Sequence, residues 1–145
     1  MLGKYKIKSE LFLNEKLNKS YVPDPRDVIF VDPTGLCNLG CKFCAYPKLQ
    51  SGYTMELDFF KQIINQATKM GFENFFITPM LGDVFMDKTI FEKLEFLESN
   101  KEVKSFSFYT NFVLAKNIHK IFSFSKLKDF EVSVYGLDEI DFEKV

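Results

Sequence analysis

From Asp27 onward, short unbroken apolar runs alternate with stretches whose apolar residues recur every three or four positions. Val28-Ile29-Phe30-Val31 is rich in β-branched and aromatic residues and stops at Asp32-Pro33, which predicts a first strand. Met55 to Met70 sets Leu57, Phe60, Ile63, Ile64 and Ala67 on one helical stripe, closed by Gly71. Phe75-Phe76-Ile77-Thr78 predicts a second strand, stopped by Pro79. Thr89 to Ser99 predicts a second helix, with Ile90, Leu94 and Leu97 at helical spacing. Ser105 to Tyr109 reads as a third strand, Ala115 to Phe122 as a short third helix, and Phe130 to Tyr135 as a fourth strand. Gly136-Leu137-Asp138 has the pattern of a turn and an N-cap for a fourth helix. Repeated strand–helix units predict right-handed crossovers and a parallel sheet, so the fold class is α/β.

The third and fourth strands add detail. Strands covered on both faces read as continuous apolar runs. Here Ser105, Ser107 and Tyr109 alternate with Phe106 and Phe108, and Glu131, Ser133 and Tyr135 alternate with Phe130, Val132 and Val134. With helices on the Phe/Val side, the other side forms a polar wall. It is either the wet face of a one-sided sheet or the lining of a cavity inside a curved one.

Ahead of this pattern, residues 1–26 read as an extension. Tyr5 and Ile7 alternate with Lys4, Lys6 and Lys8 as in a lysine-protected edge strand, and Pro23-Asp24-Pro25 marks the boundary with a core over 27–145. The 145 residues suit one domain of usual size, and 46% hydrophobic with 27% charged content argues for a soluble globular protein rather than a disordered one. No apolar run approaches the roughly 20 residues of a membrane span. Nineteen basic against twenty acidic residues give a net charge of −1, so nothing general favours nucleic acid or an anionic membrane as partner. Eighteen of those basic residues are lysine and Arg26 is the one arginine, which removes most capacity for bidentate clamping of carboxylate or phosphate.

The chemistry concentrates in Pro33-Thr34-Gly35-Leu36-Cys37-Asn38-Leu39-Gly40-Cys41-Lys42-Phe43-Cys44, a C-x3-C-x2-C segment directly after the first strand. All three cysteines of the chain lie here, and an odd number cannot form a disulfide framework. Three close thiols favour a soft metal or an iron–sulfur cluster. Positions 37, 41 and 44 would also share a helix face as small core residues, but Pro33, Gly35 and Gly40 suit a loop better. A zinc-stabilised interaction module needs a fourth ligand, for which the sequence offers only His119, far along the chain. Neither spacing nor count fits a bacterial-type ferredoxin. Three ligands leave one iron of a 4Fe-4S cluster open, as catalysis requires.

A C-x3-C-x2-C loop after the first strand of a βα protein, with the aromatic Phe43 before the last cysteine, resembles the radical S-adenosylmethionine (radical SAM) enzymes, with a SPASM-like subgroup as one option. Further segments arrive in the family's order. Met80-Leu81-Gly82-Asp83-Val84-Phe85 stands where the family has Gly-Gly-Glu-Pro, with Leu81 and Val84 departing from the usual Gly and Pro. Tyr109-Thr110-Asn111-Phe112 resembles its Thr-Asn-Gly, with Phe112 in the glycine's place. Val132-Ser133-Val134-Tyr135-Gly136-Leu137-Asp138 resembles the end of its fourth strand.

The resemblance implies a partial parallel (β/α)6 barrel with about four of six units present, so the chain reads as the N-terminal part of a larger enzyme or as a half-barrel completed by another subunit. It implies a 4Fe-4S cluster on Cys37, Cys41 and Cys44, and S-adenosylmethionine reductively cleaved to a 5′-deoxyadenosyl radical that abstracts hydrogen from a substrate. Gly82 and Asp83 would receive the amino group of the methionine moiety, Asn111 and Ser133 its ribose or carboxylate, and the Phe43 backbone the adenine. No catalytic residue is singled out. A reductant such as flavodoxin or ferredoxin, a small-molecule or peptide substrate, and a cytoplasmic location complete the expectation. A non-catalytic iron–sulfur fragment for electron transfer is the alternative.

Overall fold

The computed structural model describes Asp24, residues 26–44 and residues 52–134. The strand read around Tyr5 and Ile7 and the helix cap read at Gly136-Leu137-Asp138 lie outside the described residues. Within them the order is β1 (Val28–Val31), α1 (Leu57–Lys69), β2 (Asn74–Ile77), a 3-10 turn (Val84–Met86), α2 (Ile90–Ser99), β3 (Ser105–Thr110), α3 (Ile118–Ile121) and β4 (Leu127–Val132). The four strands form one sheet in the order β1-β2-β3-β4, every neighbouring pair parallel.

The stripe predicted for α1 is buried where it should be, at Phe60, Ile64 and Ala67. Asp58 in its first turn and Lys69 in its last complement the helix dipole. It ends in a Schellman motif: Phe72 N–H donates to the Ala67 carbonyl (3.1 Å) and Gly71 N–H to Thr68 (2.9 Å). That reversal needs a left-handed residue, and Gly71 takes φ 95°. On α2, Ile90, Leu94 and Leu97 join the same core, together with Ile77, Phe106 and Phe108 from the strands. The helices therefore share the apolar side of the sheet.

Two boundaries differ from the sequence reading. The third helix shrinks to a single turn because Phe112 and Asn117 both adopt positive φ (63° and 54°), which keeps residues 111–117 as a loop. The fourth strand begins earlier, at Leu127. Phe106 pairs with Leu127 and Ser107 with Asp129, so Lys128 is the extra residue of a bulge. That bulge admits the polar Lys128-Asp129 stretch into the ladder, and it keeps Phe130 on the core side beside Phe108.

On the opposite side, β3 and β4 present Ser105, Ser107, Tyr109 and Glu131 of the polar wall read from the sequence, with Asp129 added by the earlier start of β4. The strand ends at Val132, so Ser133 follows it, and Tyr135 lies outside the described residues. On that same side β1 and β2 contribute aromatics instead. Phe30 stacks on Phe76 (5.2 Å between ring centres), and Phe76 lies against Tyr109 (4.7 Å). No helix among the described residues is long and apolar enough to cross a membrane.

Candidate active site

The segments that leave β1, β2, β3 and β4 all emerge at the C-terminal end of the sheet, the usual place for a ligand site in parallel α/β structures. Between them lies a hollow of about 360 Å³ lined by Cys37, Cys41, Phe43, Cys44, Gly82, Asp83, Asn111 and Ser133, among others. The three cysteines and the five residues named from the sequence for S-adenosylmethionine therefore reach one place, and His119 does not. A larger hollow of about 560 Å³ at the other end of the sheet, lined by Arg26, Lys104, Lys126 and Lys128, contains none of them. Phe76 lines the larger hollow and Tyr109 the smaller, so the aromatic row stands at their boundary.

The cysteine loop is gathered at its neck. Gly35 N–H donates to the Tyr53 carbonyl (2.9 Å), Met55 N–H to Pro33 (2.8 Å), and Thr34 and Thr54 form an antiparallel bridge. Thr34 is fully buried, and its hydroxyl donates to Tyr53 (3.0 Å) while accepting from Leu36 N–H (3.2 Å). Beyond the neck, Cys44 N–H donates to the Cys41 carbonyl (3.0 Å), which turns these two thiols toward the same hollow as Cys37.

None of the three cysteines is disulfide-bonded, and all are half-buried. Burial pushes the Cys37 thiol above its ordinary pKa, opposed by the Leu39 N–H (3.5 Å from Sγ) and reinforced by Asp83, Cys41 and Cys44. A bound metal centre would reverse that balance, since a coordinating thiol is deprotonated outright. Among the described residues, no three His, Cys, Asp or Glu side chains converge on a point that could hold a single metal ion. Three thiols on one loop are the donor set that soft metals and iron–sulfur clusters take. His119 is exposed on α3 and does not line the hollow.

Asp83 lines the hollow, and its carboxylate is taken up by partners within the fold. It is 1% exposed, and both carboxylate oxygens are engaged by the protein. Oδ1 accepts from Phe85 N–H (2.9 Å), and Oδ2 accepts from the Thr110 hydroxyl (2.9 Å) and Asn111 N–H (2.6 Å). The carboxylate thus ties the loop after β2 to the end of β3, leaving backbone as what this loop turns to the hollow. Asp83 N–H also donates to the Leu36 carbonyl (2.8 Å). Gly82 makes that approach possible: a Cβ there would lie 2.7 Å from the Leu36 carbonyl oxygen and 2.9 Å from that of Thr34. Asn111 reaches the cysteine loop directly, its side-chain amide donating to Asn38 Oδ1 (3.0 Å).

Asn38, Thr110 and Asp32 were not singled out from the sequence. Asn38 and Thr110 adjoin residues that were, and only the fold shows which neighbour they hold. Asp32 Oδ2 accepts from Met80 N–H (3.3 Å), whereas its Oδ1 is buried without a hydrogen-bond partner.

The comparisons with known proteins agree with this fold. BtrN, crystallised with AdoMet and 2-DOIA, superposes with a TM-score of 0.65 at 17% identity, over 81% of this chain and 54% of that one. SuiB of Streptococcus suis, bound to the precursor peptide SuiA, gives 0.69 at 21% identity over 96% of this chain and 30% of that one. SuiB bound to S-adenosylmethionine gives 0.68 at 19%. The chain thus spans about half the length of BtrN and less than a third of SuiB. No curated protein matches by sequence at a significant level. The sequence profile of the Radical SAM superfamily matches residues 31–144, from the end of β1 through the cysteine loop and the rest of the sheet. With fold, motif and profile in agreement over most of its length, the chain belongs to the radical SAM superfamily.

Proposed function

We propose that this chain is the cluster-binding part of a radical SAM enzyme, holding a 4Fe-4S cluster on Cys37, Cys41 and Cys44 and S-adenosylmethionine beside it. The observation that carries the reading is the meeting of all three thiols with the loops after β2, β3 and β4 in one hollow. When bound, the cluster supplies the electron that cleaves S-adenosylmethionine to methionine and a hydrogen-abstracting 5′-deoxyadenosyl radical.

The protein's own part is to bind, orient and exclude water. Cys37, Cys41 and Cys44 would hold the cluster as thiolates, and an iron left without a protein ligand would take the amino and carboxylate groups of the methionine moiety. Because the Asp83 carboxylate is engaged within the fold, backbone at Met80–Gly82 receives the amino group, and Asp83 acts by holding that backbone in place. The Asn111 amide and Ser133 hydroxyl serve as polar contacts for ribose or carboxylate, and the Phe43 backbone as the adenine contact. Of the aromatic row, Tyr109 lines the hollow, with Phe76 packed against it.

A peptide is the substrate class we favour, because SuiB was crystallised with its precursor peptide and matches 96% of this chain. The electron comes from a flavodoxin- or ferredoxin-type reductant. A reducing compartment such as the cytoplasm would keep the three thiols of this loop available to a cluster. Anaerobic reconstitution with iron and sulfide tests the reading. A 4Fe-4S EPR signal that changes on adding S-adenosylmethionine, together with 5′-deoxyadenosine formation under reduction, is expected. Stoichiometric zinc with no cluster spectrum would sink it.

A further inference from the structure

Two buried ionisable groups lie outside the hollow. The side chains of Asp87 and Lys93 are both 0% exposed and form a direct ion pair. The second oxygen of Asp87 accepts from the N–H and the hydroxyl of Thr89, both at 2.8 Å. Lys93 Nζ also lies 5.7 Å from the centre of the Phe60 ring and donates to the Met55 carbonyl. Such a pair is a poor source of stability. Desolvation costs several kcal/mol per ion, and apolar residues of similar volume often serve the fold equally well.

Its third partner gives the pair a purpose. Met55 closes the neck of the cysteine loop, where residues 53–55 hydrogen-bond to 33–35 two positions before Cys37. Those bonds join the two arms of the loop to each other. Two further contacts tie the neck to the rest of the fold: Asp83 N–H on the Leu36 carbonyl, and Lys93 on the Met55 carbonyl. Asp83 and Asp87 are four residues apart on the segment between β2 and α2: Asp83 holds one arm directly, and Asp87 reaches the other through Lys93 on α2. A methionine or leucine in place of Lys93 would fill the space but could not hold a carbonyl.

We propose that Asp87 and Lys93 are positioning residues for the cysteine loop: Asp87 orients Lys93, and Lys93 fixes the arm that carries Met55. The inference builds on the reading of Cys37, Cys41 and Cys44 as cluster ligands, but it makes a claim about the loop that is measurable without any cluster.

The test is a double variant of the full chain, Asp87→Leu with Lys93→Met, which removes both charges and roughly preserves volume. Its thermal midpoint should stay within a few degrees of the wild type. Amide hydrogen exchange over 33–37 and 53–55 should accelerate about tenfold while β2 and β3 keep their protection. After reconstitution, a chelator should strip iron from the variant faster than from the wild type. A stable variant with unchanged exchange at the neck overturns the proposal. So does one that cannot fold, since the pair would then be a requirement of the whole domain. A wild-type chain that takes up no cluster would count against the enzymatic reading, and the exchange result would still decide this one.

Discussion

The backbone N–H of Asn111 donates to Oδ2 of Asp83 at 2.6 Å, so a single carboxylate joins the loop after β2 to the end of β3. Asp83→Asn keeps the shape but sets an amide N–H₂ against donors that expect an acceptor. Unfolding in denaturant should show a loss of about 1–3 kcal/mol, the usual effect of leaving buried donors unsatisfied. Wild-type stability in this variant would refute the clamp.

Gly82 sits where backbone meets backbone. In Gly82→Ala the new methyl would stand 2.7 Å from the Leu36 carbonyl oxygen, and neither chain has a flexible side chain that could yield. We expect about 1–3 kcal/mol of destabilisation. Iron content after reconstitution should drop as well, because residues 34–36 must retreat. Calorimetry and iron analysis on the same sample check both.

Replacing Cys37, Cys41 or Cys44 by Ala should each abolish the cluster and leave the fold intact, since all three are only half-buried. Far-UV circular dichroism and the cluster's visible absorbance separate the two effects. A cluster retained in Cys41→Ala would contradict the ligand assignment.

Phe112 holds φ 63° although it is not glycine, and its ring stacks on Phe130 (5.9 Å) and meets Phe85 edge-on (6.3 Å). Packing thus offsets a strained backbone. Phe112→Ala loses the rings and keeps the strain, whereas Phe112→Gly loses both. The glycine variant should therefore be the more stable of the two by about 1 kcal/mol. The reverse order in thermal melts would show that the left-handed geometry is not maintained in solution.

Glu98 supplies a pH test. Burial by itself would raise its pKa from the ordinary 4.5, but hydrogen bonds from the Ser125 hydroxyl and from Lys126 and Ser125 N–H, with the Lys126 charge, bring it lower. A carboxylate depressed in the folded state contributes stability above its unfolded pKa and loses it as pH falls through the folded value. Glu98→Gln should therefore be less stable than wild type at neutral pH, with the gap narrowing below about pH 4.5. A gap that stays constant from pH 7 to 3 would disprove the linkage.

The elements with strong periodicity were legible before any coordinates. The α1 stripe of Phe60, Ile64 and Ala67, and its stop at Gly71, follow directly from side-chain spacing. The cysteine loop was legible because thiols so placed have few other uses. What the sequence concealed depends on backbone detail or on distant partners. The left-handed Asn117 shortens α3, and the bulge at Lys128 admits polar residues to β4. Asp83 lines the hollow with the cysteines, yet spacing says nothing about which way a carboxylate turns. Lys93 left a trace: it falls on the Ile90–Leu94–Leu97 stripe, where a solvated lysine does not belong.

The strand order carries a last implication, for how the chain is made. Each strand pairs with the one before it in sequence, so no pairing waits for a later segment to be inserted between two earlier strands. β1 and β2 can register once Ile77 is available, and β3 and β4 then add in turn. The sheet can therefore grow in step with the ribosome, with the cysteine loop already closed by its own neck before β3 and the loop bearing Asn111 are synthesised.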